Sequence, residues 1–231
     1  MKINIITLLL LESLFAITSC SSDDDKNNIP EILPVSKGVF TDLRDGKEYH
    51  YVRIGDLEWT VDNAKYDTGN DNTRSIYSTQ EILGDQNSIN DSLTVRKYGY
   101  LYSYEGAKLA APDGWRLPSD EDWKKLEISL GMSEGEVNAD GWRGSYQAIL
   151  MHQQNGTQLN MEYGGFLDGN STAFNLKFYF MEAFGYYWTS TYDEKTATAF
   201  FRKIVYNSGK VYRYTSATNN MMSVRFVRDV K

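Results

Sequence analysis

Histidine, cysteine and the carboxylates carry most acid–base, thiol and metal chemistry, and this chain is sparing with the first two: His50, His152 and Cys20 are the only residues of their kinds in 231. His50 lies in Glu48 to Ile54, where strand alternation puts it on one face with Val52 and Ile54. A satisfied, partly buried imidazole is expected there rather than a catalytic one. His152 sits in Met151-His-Gln-Gln-Asn-Gly156, a polar, turn-like stretch that predicts a solvated ring. Neither histidine accompanies a Gly-x-Ser-x-Gly elbow or a His-Glu-x-x-His helix. Acids are plentiful, with 31 Asp and Glu against 24 Lys and Arg. However, Asp120 to Asp122 suit the positive end of a helix, and Asp23 to Asp25 belong to a polar charge run. No residue is assigned a catalytic role, and the chain is not expected to be an enzyme. One cysteine cannot form an intrachain disulfide or a Cys-based zinc or iron–sulfur site, so neither metal nor cofactor is expected. The net charge of −7 argues against nucleic acid as a partner, since phosphate recognition needs clustered positive charge.

The place of Cys20 suggests a use for its thiol. Lys2 followed by the apolar run Ile5 to Leu11 reads as a secretory signal, too short to cross a bilayer and interrupted by Glu12. Ile17-Thr18-Ser19-Cys20 resembles the bacterial lipobox, in which small residues admit a peptidase and the cysteine thiolate takes up a diacylglycerol. Residues 1–19 are then a lipoprotein signal peptide. Residues 20–36 are a lipidated Cys20 with a flexible tether lacking apolar periodicity. Several acyl chains such as palmitate, at roughly 0.8 kcal/mol per buried CH2, anchor stably where a single chain does not. Ser22-Asp-Asp-Asp25 resembles the acidic export signal of surface-displayed lipoproteins. The expected location is the cell outer membrane, with the domain on its extracellular face.

Residues 37–231 form the folded domain in this reading. Gly38 to Arg44, the turn Asp45-Gly46 and Glu48 to Ile54 predict a β-hairpin, followed by a short strand through Trp59. Asp62 to Thr94, rich in Asn, Asp, Ser and Thr, reads as a long loop. Glu105 to Ala111 predicts a short helix. Ser119 is a good N-cap for a second, in which Trp123, Leu126 and Leu130 share one face before Gly131 stops it. Ser133-Glu-Gly-Glu136 predicts a capping box opening another helical turn. Strands return at Tyr186 to Thr191, Thr196 to Tyr206, Lys210 to Tyr214 and Ser223 to Arg228. The class is therefore α+β, with helices in the middle third and strands on either side.

Several blocks occur together in order: Val52-Arg-Ile-Gly55 with Trp59 and Asn63; Tyr98-Gly-Tyr-Leu-Tyr102; Pro112-Asp-Gly-Trp-Arg-Leu-Pro-Ser119; Tyr187-Trp188-Thr-Ser190; and Ser223-Val-Arg-Phe-Val-Arg-Asp229. The set, from about Phe40 to Asp229, resembles the Fibrobacter succinogenes major paralogous domain. The resemblance implies a C-type-lectin-like fold with paired N- and C-terminal strands, two helices and a twisted antiparallel sheet in the last third. It implies core positions for Trp59, Trp115, Trp123 and Trp188, and no established activity. The Glu-Pro-Asn and Trp-Asn-Asp triplets of calcium-dependent lectins are absent, and Thr189-Ser190 after Trp188 offers weaker calcium ligands than carboxylates.

With 17 Tyr, 10 Phe and 5 Trp, the chain has aromatics to use beyond a core. Tyr212 and Tyr214 share a strand face with Lys210, and Thr215-Ser-Ala-Thr-Asn-Asn220 follows. Tyr, Ser, Thr and Asn are the residues of adaptable recognition surfaces. The candidate ligand contacts are Tyr212, Tyr214, Asn219, Asn220, Thr189 and Tyr192. Arg225 and Arg228 are expected to brace the final strand. The expected function is a lipid-anchored binding or adhesion module for a glycan or protein ligand, with the membrane as partner through Cys20. The alternatives are a structural subunit of a surface fibre or envelope complex and, behind it, a glycan- or peptide-acting hydrolase.

Overall fold

The first turn is longer than a tight Asp45-Gly46 hairpin: it runs from Asp42 to Lys47, with Gly46 at φ +73° and its N–H donating to Asp42 O. It joins β1 (Ser36–Thr41) to β2 (Glu48–Ile54), and Gly55-Asp56 then returns the chain into β3 (Leu57–Thr60). The computed structural model describes residues 29–77, 91–154, 156–171 and 177–230, and Glu31–Lys231 forms one compact unit. The expected signal peptide, Cys20 and most of the expected tether lie outside the described residues. So do positions 78–90 of the expected loop.

The last strand, β12 (Val227–Asp229), pairs with β3 and not with β1, giving a four-stranded sheet in the order β1-β2-β3-β12. The first and last described strands thus share one sheet, but the expected pairing between them is corrected: β3, not the edge strand β1, is the partner of β12. Both faces of this sheet are covered. Phe40 stacks on Tyr49 and Trp115 on one side, and Trp59 meets Trp123 edge-on at 5.0 Å on the other. His50 does share a face with Val52 and Ile54, yet its side chain is 64% exposed because it lies at the uncovered end of the strand. Asp62 satisfies it, with Oδ2 3.0 Å from Nδ1.

Within the expected 62–94 loop there is local order. β4 (Arg74–Ser75) pairs with β5 (Leu101–Tyr102), and α1 (Asp91–Tyr98) begins where a loop was predicted. Arg96 and Lys97 suit the negative end of α1, which Gly99 terminates at φ +72°. Then α2 (Tyr104–Leu109) starts at the Ser103 cap. α3 (Asp120–Ser129) opens on a full capping box: Asp122 N–H donates to Ser119 Oγ, and Ser119 N–H donates to Asp122 Oδ2. α4 (Glu134–Val137) uses half of the predicted box, since Ser133 Oγ accepts from Glu136 N–H while its hydroxyl donates to Glu136 Oε2.

α5 (Gln147–His152) was not expected, because only Ala148, Leu150 and Met151 mark its buried side. It places His152 in a half-buried setting instead of a solvated turn. There Nδ1 is 2.6 Å from Met161 O and the ring stacks on Tyr163 at 4.5 Å.

The second sheet has six strands in the order β6 (Gly141–Arg143), β11 (Val211–Ala217), β10 (Thr198–Val205), β9 (Phe184–Asp193), β7 (Gly164–Leu167) and β8 (Phe178–Met181). Its pairings are antiparallel except β7 with β9. Of the predicted strand Ser223 to Arg228, the part before Val227 instead threads between elements. Met221, Met222 and Ser223 form single bridges to Leu167, Tyr102 and Tyr187 in turn.

Candidate binding face

Strand pleating sends alternate side chains of the six-stranded sheet to opposite faces, and the two faces are chemically unlike. One packs on α3 through an ion network. Arg202 donates to Asp120 Oδ1 and Glu127 Oε1, each at 2.7 Å; Arg143 meets Glu127 Oε2 at 2.7 Å; and Arg213 meets Asp120 Oδ2 at 2.8 Å and Asp140 Oδ1 at 2.5 Å. Burial alone would raise the Asp120 carboxyl, but hydrogen bonds from Arg213 and the charge of Arg202 hold it well below the usual carboxylate range. Every cation here has its anion, so this face is structural.

The opposite face carries rings. Register aligns Trp142 with Tyr212, Tyr212 with Lys203, and Lys203 with Tyr186, one row across β6, β11, β10 and β9. Trp142 and Tyr212 meet edge-to-face at 5.1 Å, and Tyr214 and Phe201 flank Tyr212 at 6.2 and 6.1 Å. Beyond Tyr186 the rings continue through Phe166 at 4.9 Å, then Tyr179 at 5.3 Å and Phe180. The middle of the face is buried at Tyr186 and Phe201, while Trp142 is 42% exposed and Tyr214 and Phe180 are each 50% exposed. The exposed rings thus fall in two groups, Trp142 with Tyr214 at one end of the row and Tyr179 with Phe180 at the other, and exposed aromatic patches mark candidate binding surfaces.

At the centre of the row Lys203 is half-buried, and its Nζ lies 4.1 Å from the Tyr212 ring centroid, 5.0 Å from Trp142, and 5.7 Å from both Phe184 and Tyr186. Burial pulls its pKa below the ordinary lysine value. Burial likewise pushes the Tyr186 phenol up to about 12, so that ring stays neutral.

The sequence candidates do not gather at one place. Tyr212 and Tyr214 belong to the ring face. Tyr192, at the far end of β9, stacks on Tyr104 at 5.9 Å. Thr189 is fully buried and its hydroxyl accepts from Thr191 N–H, so its predicted surface position is corrected: it falls on the covered side of the pleat. Asn220 braces the late turn, accepting from Gly169 N–H and donating to Ser216 Oγ. Asn219 lines a separate cavity of about 610 Å3 with Asp71, Arg74 and Asp168.

Sequence reasoning missed Trp142, Tyr186, Lys203, Phe184, Tyr179 and Phe180 as members of this face. The usable signal was the alternation Phe184-x-Tyr186-x-Trp188 read together with Phe201-x-Lys203 and Tyr212-x-Tyr214.

Another cavity of about 610 Å3 lies beside His50 and is lined by Lys37, Val39, Gln158 and Asn160. Its His50–Asp62 pair has the form of an oriented base, but among the described residues no Ser, Thr or Cys lines the cavity to serve as nucleophile. Among the described residues no three His, Cys, Asp or Glu side chains converge as a metal site. None of the helices described is long and apolar enough to cross a membrane.

The elements define a mixed α+β domain, mostly sheet, with five short helices among the described residues. The family model described as the Fibrobacter succinogenes major domain matches residues 52–228, and the chain belongs to that family. Comparisons with curated proteins and with solved structures returned no match.

Proposed function

We propose that this protein is a lipid-anchored, surface-exposed binding module of the cell envelope, and that it holds its ligand on the ring-bearing face of the six-stranded sheet. The observation that carries this reading is the row Trp142, Tyr212, Lys203 and Tyr186 with exposed Tyr214 beside it. Aromatic side chains supply large, rigid contact area at small cost in conformational entropy. The arrangement is read as C-type-lectin-like: the first and last described strands in one sheet, helices in the middle, and a late, largely antiparallel sheet. Anchoring rests on the Ile-Thr-Ser-Cys20 motif and the polar run behind it.

A glycan and surface-protein array probed with the purified full chain tests the reading, with Trp142→Ala and Tyr214→Ala as variants. Binding lost by both variants supports the face; binding unchanged in both refutes it. Cys20→Ser should move the protein from the membrane fraction to the soluble one, and a variant that stays with membranes refutes the anchor.

A permanent assembly subunit would also use an exposed aromatic patch. The ammonium of Lys203 in the middle of the patch favours exchange of a polar ligand over a dry, permanent contact.

A further inference from the structure

The row Trp142, Tyr212, Lys203 and Tyr186 holds a single charge. An ammonium has three N–H donors. Four rings surround that of Lys203 and ease its desolvation, but a ring face is a poor substitute for a hydrogen-bond acceptor. Among the described residues, no carboxylate lies within ion-pair distance of Nζ, and none of its donors reaches an oxygen. Neighbouring Arg202, by contrast, is paired with both Asp120 and Glu127. In a chain of net charge −7 this is a cation that the fold has kept apart from its many acids.

The site is thus complementary to an anion carried on something flat and partly apolar. The row crosses four strands spaced about 4.8 Å apart, so it extends for about 14 Å, longer than one sugar ring. The backbone of β10, which carries Lys203, is paired with β9 on one side and β11 on the other, so a ligand seated over Lys203 meets side chains rather than free backbone groups.

We propose that this face takes an acidic glycan, a chain of pyranose rings bearing carboxylate or sulfate groups, with one anion seated on Lys203 Nζ and sugar faces on Trp142, Tyr212 and Tyr214. The inference rests on the reading of the face as the binding surface and adds the class of ligand.

Titration calorimetry of the full chain tests it. The probes are polygalacturonate, carrageenan as a sulfated galactan without carboxylates, and fully methyl-esterified polygalacturonate as the neutral control. The expected result is binding of at least one polyanion that weakens as salt is raised. The ester should bind at least about tenfold more weakly, the order expected for one charge-assisted contact. Comparison of polygalacturonate with carrageenan identifies the anion. Lys203→Gln should lose about tenfold or more while melting like the parent, and Lys203→Arg should keep most of the affinity.

Failure of both polyanions to bind overturns the proposal, as does an ester that binds as tightly as the acid or a Lys203→Gln variant with full affinity. If the ester binds equally well and Trp142→Ala abolishes that binding, the acidic ligand falls while the binding face stands. Polyanion binding indifferent to both Trp142→Ala and Lys203→Gln overturns both readings.

Discussion

Arg202 and Lys203 are consecutive on β10, and the pleat sends their cations to opposite faces of one sheet. Arg202 is fully buried, with carboxylates of α3 at 2.7 Å on two of its nitrogens, whereas Lys203 meets the rings of Trp142, Phe184, Tyr186 and Tyr212. One residue of displacement along the strand separates a cation paired with buried carboxylates from one set among aromatic rings.

The carboxylate that serves both Arg202 and Arg213 makes the fold sensitive to acid. An unfolded chain protonates Asp120 near pH 3.9, while the folded chain keeps it ionised to lower pH. Below that unfolded value the unfolded state binds more protons, so stability present at neutral pH is lost as pH falls. Asp42, Asp62, Asp67 and Asp122 are lowered as well and act in the same direction. Urea titrations at pH 7, 5, 4 and 3 should show little change to pH 5 and a steep fall below 4. Asp120→Asn should cost about 2–3 kcal/mol at pH 7, because Arg202 and Arg213 lose the carboxylate they share and keep only Glu127 and Asp140 respectively. A stability flat to pH 3 contradicts this account.

Arg225 should resist even its closest substitute. It is buried, and its guanidinium donates to Asn63 Oδ1 at 2.5 Å, Thr60 O at 2.7 Å, Leu159 O at 2.9 Å and Asn160 O at 2.7 Å, and also to Val61 O. A lysine has too few donors, in the wrong geometry, to serve this set. Arg225→Lys should cost about 3 kcal/mol or more, since at least two buried acceptors at about 1–3 kcal/mol each lose their donor. Chemical denaturation measures it, and a cost under about 1 kcal/mol would show that the carbonyls find other partners.

In most helices Gly→Ala is stabilising, by about 1 kcal/mol. At Gly106 in α2 the sign should reverse, because a Cβ there would lie 1.9 Å from Thr73 O. Gly106→Ala must push α2 off the 62–77 segment, at about 1–3 kcal/mol. Each kcal/mol lowers Tm by about 2–4 °C in a domain of this size. A raised Tm would mean that this contact yields freely.

Chelation gives a simple discriminator for the ligand face. No Glu-Pro-Asn or Trp-Asn-Asp triplet is present, and the ring face holds its ligand in this reading without a cation. Excess EDTA should leave both the melting curve and ligand titration unchanged. A calcium-dependent shift in either would refute metal-independent binding.

Local signals were readable where a short stretch contained its own cause. Ser119 with Asp122 and Trp123 specifies the start and buried side of α3, Gly46 takes its positive φ within the first turn, and Trp59, Trp115, Trp123 and Trp188 all proved to be core. The expected bracing role of Arg225 also holds, though its acceptors, drawn from segments 60–63 and 159–160, could not be listed from sequence. α5 was missed because only six residues form it, and its burial depends on contacts such as Met161 N–H to Met151 O.

By itself the sequence determined the α+β class, the major helix and its cap, the core tryptophans, and the family to which residues 52–228 belong. Only the tertiary structure decided that Trp142, Tyr212, Lys203 and Tyr186, scattered over seventy positions, stand in one row, and that Thr189 is sealed away. Alternation tells which residues share a face, but strand order and register, set by long-range pairing and by what covers each face, decide which faces meet and which stay open.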